Sequence, residues 1–280
     1  MEKGIRKFVK INISGNCNLS CSYCFGFKFK EIAADAIEKI EAIMENYDAV
    51  NSCFRVECTG EITLYPEILE YLNNKCRNEG YNIEVLSNGT KIKEFINKYG
   101  YLNWVLSLDG HTVEMNRFRK LSEIQIVNIL DVAVLRGAEL QCVFFKQSIE
   151  DINGFINYLG ERNYKGFLNI FPCRFSNSPL TIYLDYDKLV KADFLPDKEY
   201  FRRWKVIYDT GRRDFACDVF ENGYTYRINS DGIKKIKCEC AGSIYKELRF
   251  DEPEEDYCIS KCGNCFTHYE YNNIRKLVSG

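Results

Sequence analysis

A chain of 280 residues, 46% of them hydrophobic, can bury a substantial core as one large domain or as a domain with a small appendage. Its formal charge of −2 offers no long-range attraction to nucleic acid or to an anionic membrane, and both partners are disfavoured. No run reaches the ~18 apolar residues of a spanning helix, and the Met1-Glu2-Lys3-Gly4 start lacks the apolar core of a signal peptide, so the expected compartment is the cytoplasm.

The apolar run Phe8 to Ile13 reads as a first strand, and Ile37, Ile40 and Met44 give Glu31 to Tyr47 a helical face. Phe54, Val56 and Cys58 alternate as a second strand. Pro66 then opens a helix with Ile68, Leu69, Leu72 and Cys76 on one side, stopped by Gly80. The rhythm repeats through a strand over Asn82 to Leu86, a helix over Lys91 to Tyr99, a strand over Trp104 to Leu108 and a helix over Glu123 to Arg136. It continues with a strand over Glu139 to Lys146, a helix from Ser148-Ile-Glu-Asp151, a strand over Gly166 to Phe171 and a helix over Lys198 to Asp209. Six strand–helix units imply parallel strands with right-handed crossovers, and the working loops of such sheets lie at the carboxyl ends of the strands.

Nine of the fourteen cysteines lie in two terminal groups, Cys17, Cys21, Cys24 and Cys217, Cys238, Cys240, Cys258, Cys262, Cys265, which in a reducing compartment favours metal binding over disulfides. The first group has C-x3-C-x2-C spacing on the loop after the first strand. Three such thiols suit zinc or an iron–sulfur cluster, and no fourth Cys or His closes the set before Cys53. Cys53, Cys58 and Cys142 read as small buried hydrophobes.

The stretch Cys17-Asn-Leu-Ser-Cys21-Ser-Tyr23-Cys24 resembles the C-x3-C-x-aromatic-C signature of the radical S-adenosylmethionine (radical SAM) superfamily. The resemblance implies a (β/α)6 partial TIM barrel over residues 1–211. Cys17, Cys21 and Cys24 would hold a [4Fe-4S] cluster whose open iron takes S-adenosylmethionine, yielding a 5′-deoxyadenosyl radical. Thr59-Gly60-Glu61-Ile62 stands where the family has Gly-Gly-Glu-Pro, a partial match. Ser87-Asn88-Gly89-Thr90 resembles its Thr-Asn-Gly-Thr turn. Ser107-Leu108-Asp109-Gly110 resembles a Ser-Leu-Asp-Gly turn that the family follows with a His-Asp pair and an Arg; here Met115-Asn116 and Arg119 take those places. Carried over, Tyr23, Gly60, Glu61, Ser87, Asn88, Ser107, Asp109 and Arg119 bind the cofactor, with Arg119 able to pair a carboxylate or else to lie exposed in the basic run 117–120. Lys146, Gln147, Cys173 and Arg174 fall at the ends of strands five and six, and Cys173, Lys146 and Arg174 are the candidate catalytic residues.

Residues 212–280 change character. Tyr224 to Ile228, the turn Asn229-Ser-Asp-Gly232 and Ile233 to Cys238 read as a hairpin with a cysteine on either side. This resembles the SPASM/twitch extension of radical SAM enzymes, implying one auxiliary [4Fe-4S] cluster on Cys217, Cys238, Cys262 and Cys265, with Cys258 or Cys240 as alternates and a zinc ribbon as the competing reading. The acidic run 251–256 reads as a solvated spacer. The expected protein is a radical SAM oxidoreductase abstracting hydrogen from a small metabolite, sugar or peptide. Net oxidation, by dehydrogenation or crosslinking, is the leading outcome; redox-neutral epimerisation, with a free cysteine as hydrogen donor, is the alternative. A chain starting almost at its first strand leans toward the small metabolite or sugar. An electron donor such as flavodoxin or ferredoxin is the implied partner, and a non-catalytic electron carrier is the competing class.

Overall fold

The computed structural model describes residues 7–24, 31–144, 147–172 and 223–236. Strands β1 (Lys7–Ile13), β2 (Ser52–Cys58), β3 (Asn82–Ser87), β4 (Asn103–Ser107), β5 (Glu139–Phe144) and β6 (Leu168–Pro172) alternate with helices α1 (Ala36–Met44), α2 (Pro66–Glu79), α3 (Ile92–Phe95), α4 (Glu123–Arg136) and α5 (Ile149–Glu161). All six strands are parallel neighbours in chain order. Among the described residues no helix is long and apolar enough to cross a membrane.

Local chemistry sets the helix ends. Pro66 starts α2, and Gly80 ends it with φ of 73°, a conformation that costs a residue with a Cβ but not glycine. Ser122 with Gln125, and Ser148 with Asp151, close reciprocal capping boxes on α4 and α5. The helix expected over Lys91 to Tyr99 is only one turn, α3. Beyond it the chain runs on through isolated turns, because Tyr99 is buried and donates its hydroxyl to the Pro66 carbonyl at 3.0 Å, drawing the segment onto α2. The expected helix over Lys198 to Asp209 and the acidic run 251–256 lie outside the described residues.

Among the described residues the sheet has eight strands, in the order β6-β5-β4-β3-β2-β1-β7-β8. The added pair is the expected hairpin, β7 (Gly223–Asn229) and β8 (Gly232–Ile236), turning at Gly232 with φ of 133°. It does not stand apart from the barrel sheet: β7 lies parallel to β1, with Ile11 opposite Tyr226 and Ile13 opposite Ile228. An open β1 edge would present unpaired N–H and C=O groups, and β7 supplies their partners.

Strand residues alternate between two unlike faces. Val9, Ile11, Ile13, Phe54, Val56, Ile83, Val85, Trp104, Leu106, Leu140 and Cys142 join the buried faces of the helices in one apolar core. The opposite face carries Lys10, Asn12, Arg55, Glu57, Glu84, Glu139, Gln141 and Thr225, all buried. That face is concave. Arg55 on β2 reaches Glu139 on β5 at 3.0 Å, across what a flat sheet would make about 14 Å, three strand spacings, and since strand side chains stand roughly perpendicular to the sheet this contact fits a sheet rolled toward this side. The architecture is an α/β fold with a mainly parallel, barrel-like sheet.

Candidate active site

At the carboxyl edge the loop after β1 is held against its neighbours by backbone contacts. Ser14 N–H donates to the Ile228 carbonyl at 3.0 Å, Thr59 N–H to that of Ile13 at 2.8 Å and Glu61 N–H to that of Asn16 at 2.7 Å. Tyr65 hydroxyl accepts the Asn16 N–H at 2.6 Å. A Cβ on Gly60 would drive into the Asn16 carbonyl, which explains why glycine stands there. The two residues that depart from Gly-Gly-Glu-Pro have their own work: Thr59 Oγ1 accepts the Gly15 N–H at 3.3 Å, and Ile62 is fully buried at the start of a single 3-10 turn, Ile62–Leu64.

Glu61 is 1% exposed, and its carboxylate accepts from Thr63 N–H, Thr63 hydroxyl, Ser87 hydroxyl and Asn88 N–H at 2.7–3.0 Å. It therefore caps the 3-10 turn and ties the end of β2 to the end of β3. Asn88 reaches the cysteine loop, donating from Nδ2 to Asn18 Oδ1 at 2.8 Å and to Cys17 Sγ at 3.8 Å. Leu19 N–H also points at Cys17 Sγ, at 3.4 Å.

The far side of the loop is fastened through Tyr23, whose hydroxyl donates to Asp109 Oδ2 in a short hydrogen bond. Asp109 is 1% exposed; its Oδ1 accepts the Val143 N–H at 3.0 Å and lies 2.8 Å from Arg119 Nε. The Arg119 guanidinium also sits over the Tyr23 ring, 5.4 Å from its centre. Arg119 is thus a buried cation paired with Asp109, not an exposed member of the basic run. Asn116, fully buried where the family has its acidic pair member, accepts the Asp109 N–H at 2.9 Å and donates to the Gly110 and Thr112 carbonyls. Ser107 ends β4 beside this turn, and Gln147 donates to the Asp109 carbonyl at 3.3 Å.

Cys17, Cys21 and Cys24 are free thiols on this loop. Burial raises the pKa of Cys17, and the two N–H donors at its sulfur pull against that. Burial pushes the Cys21 thiol up to about 11, against the opposing pull of Arg119. N–H donors aimed at sulfur and a nearby buried guanidinium are what stabilise thiolate ligands, so the donor set fits an iron–sulfur cluster. Among the described residues no three Cys, His, Asp or Glu side chains converge on one ion position, and cluster thiolates bind separate irons.

The structure therefore brings Tyr23, Gly60, Glu61, Ser87, Asn88, Ser107, Asp109 and Arg119 to one edge with the three cysteines. Lys146, Cys173, Arg174, Cys217, Cys238, Cys240, Cys258, Cys262 and Cys265 lie outside the described residues. Cys53 and Cys142 are buried as expected; Cys58 is half-buried, its thiol raised to about 12 by burial, with the Gly60 N–H at 3.3 Å. Sequence reasoning missed the polar concave face. Its signal was present in the polar residues two apart, Lys10 and Asn12, Arg55 and Glu57, Glu139 and Gln141.

The Radical SAM superfamily profile matches residues 11–158. The chain is similar to neomycin C epimerase of Streptomyces fradiae, 43% identical over 276 residues that cover 98% of this chain and 92% of that protein. In fold it resembles Streptococcus suis SuiB bound to S-adenosylmethionine (TM-score 0.61, 16% identity, 91% of this chain and 66% of SuiB). SuiB bound to its precursor peptide SuiA gives a TM-score of 0.61 at 17% identity, over 91% of this chain and 65% of SuiB. The chain thus spans about two thirds of the SuiB length.

Proposed function

The chain belongs to the radical SAM superfamily, and from that premise we propose that it is a redox-neutral epimerase acting on a small amino-sugar-like metabolite. The observation that carries this reading is the 43% identity to neomycin C epimerase along nearly the whole of both chains. Between the two outcomes left open by the sequence, it favours inversion of a carbon centre over the net oxidation that led.

When bound, the cluster and S-adenosylmethionine supply a carbon radical able to take hydrogen from an unactivated carbon. The chain's own residues have three tasks. Cys17, Cys21 and Cys24 hold the cluster, with Asn88 and Leu19 N–H donors steadying Cys17. The Tyr23–Asp109–Arg119 clamp and the Glu61 hub fix the loop so that its geometry is set before substrate arrives. A thiol then delivers a hydrogen atom to the opposite face of the substrate carbon, and one electron from the electron donor with one proton from solvent restores it.

Cys142 lies in the helix-side core and Cys58 packs against it, so neither is placed to be that donor. Cys76 on α2 also packs against that core, and Cys53 lies at the amino-terminal end of β2, the end away from the cysteine loop, so if Cys217, Cys238, Cys262 and Cys265 hold an auxiliary cluster, as their spacing around the β7–β8 hairpin supports, the thiols left over are Cys173, Cys240 and Cys258. The test is product analysis with neomycin C under reducing, oxygen-free conditions. Epimerisation predicts a product of unchanged mass and altered stereochemistry. A product two mass units lighter would establish oxidation instead.

A further inference from the structure

The concave face holds more buried charge than stability calls for. Lys10 pairs with Glu57 at 2.9 Å, and Arg55, 1% exposed, bridges Glu84 at 2.8 Å and Glu139 at 3.0 Å, with Gln141 donating to Glu139 at 3.1 Å. Buried ion pairs seldom stabilise a fold more than apolar residues of the same volume would, and the helix-side face shows that these strands can carry such residues. Beside Glu57 and above the Arg55 network stand two groups that no described residue serves. Asn12 Oδ1 and Ser14 Oγ are buried, at 6% and 3% exposure of their residues, and have no hydrogen-bond partner among the described residues. Asn12 lies between Ile11 and Ile13, which face the helices, and opposite Glu57 on β2, so it points to the concave side. Ser14 is the first residue of the cysteine loop. Asn12 lies two residues, about 7 Å along the strand, beneath it.

Resting on the epimerase reading, we propose that this face is the substrate wall, and that it selects a ligand bearing both hydroxyl and ammonium groups. Asn12 and Ser14 contact the ligand directly, and the Lys10–Glu57 pair backs them. A carboxamide beside a hydroxyl both donates and accepts, which a hydroxyl-rich ring with an ammonium group answers and an apolar side chain does not. An apolar ligand would leave both groups buried and unpaired, an outcome that sites of this kind reject strongly. The Arg55 network forms the floor. Glu84 and Glu139 also line a cavity of about 640 Å3 at the amino-terminal ends of β3 to β6, so the network is the partition between that cavity and the substrate space.

The probe is neomycin C, titrated calorimetrically into the anaerobically reconstituted full chain. Asn12→Leu is expected to weaken binding about tenfold, the worth of one good hydrogen bond, while its unfolding temperature stays level or rises, since it removes an unpaired buried amide. Ser14→Ala, which deletes one oxygen, is expected to weaken binding about threefold and guards against a misfolded Asn12 variant. Equal affinity in wild type and variants, or no binding of neomycin C by wild type, overturns the proposal. The epimerase reading fails separately: binding that weakens as stated, with an oxidised product, removes the reaction assignment and leaves the wall.

Discussion

The two faces of one sheet are built from the same strands by opposite rules. On the helix side, consecutive odd positions of β1 (Val9, Ile11, Ile13) are all apolar and fully buried, and the matching positions of β2 to β5 follow. On the concave side, the residues between them are mostly polar: Lys10 and Asn12, then Arg55 and Glu57, then Glu84, then, past the apolar Val105 of β4, Glu139 and Gln141. Both faces exclude water, but only one does so with groups that gain from being buried. The difference separates what holds the fold together from what waits for a ligand, and stability and function should therefore fail at different places when each face is altered.

The largest effect on stability is expected from Phe54→Ala. The ring is fully buried between Tyr47 and Tyr81, and its removal should cost about 3–5 kcal/mol in urea unfolding. Slightly smaller is Arg55→Met, about 3–4 kcal/mol, because it strands Glu84 and Glu139 as buried uncompensated charges. The sharper form of that test adds Glu84→Gln and Glu139→Gln. If the concave ions serve a ligand and not the fold, the triple variant recovers most of the loss; a triple variant as unstable as Arg55→Met would mean the network is structural.

At the carboxyl edge Tyr23→Phe deletes the hydrogen bond to Asp109, worth about 1–3 kcal/mol for a charged acceptor. Its effect should fall on the cysteine loop, read as chelator-driven iron loss about tenfold faster at little change in global unfolding. An unchanged rate would show that the clamp does not hold the loop.

The smallest effect is on pH. His111 stacks on Tyr158, with ring centres 4.6 Å apart, and burial lowers its pKa below the ordinary value. The unfolded chain then takes up the proton first, so stability is expected to fall as pH drops below about 6.5. His111→Phe should remove that step from the unfolding profile.

Much of this was legible from residue order. The β–α rhythm, the ends of α2 at Pro66 and Gly80 and the capping pairs of α4 and α5 follow from local rules, and the structure has them. The gathering of Tyr23, Glu61, Asn88, Asp109 and Arg119 around the cysteine loop followed from motif position. What each does to the others did not, since the Glu61 hub and the Tyr23–Asp109 bond join residues 26 and 86 positions apart. The pairing of β7 with β1 was hidden for the same reason: a hairpin's sequence names its own turn but not the edge it docks on. The concave polar face escaped because strands were read for their apolar alternation, and the residues between were passed over.

The central claim is inversion at carbon with the new hydrogen delivered by a thiol, and the most direct measurement is isotopic. Neomycin C turned over in D2O by the reduced, reconstituted protein, then returned to H2O to clear the hydroxyl and amine positions, should give an epimer carrying one deuterium, bound at the inverted carbon, because a thiol exchanges with solvent before it donates. A product carrying no solvent deuterium, or one that has lost two hydrogens, would contradict the account.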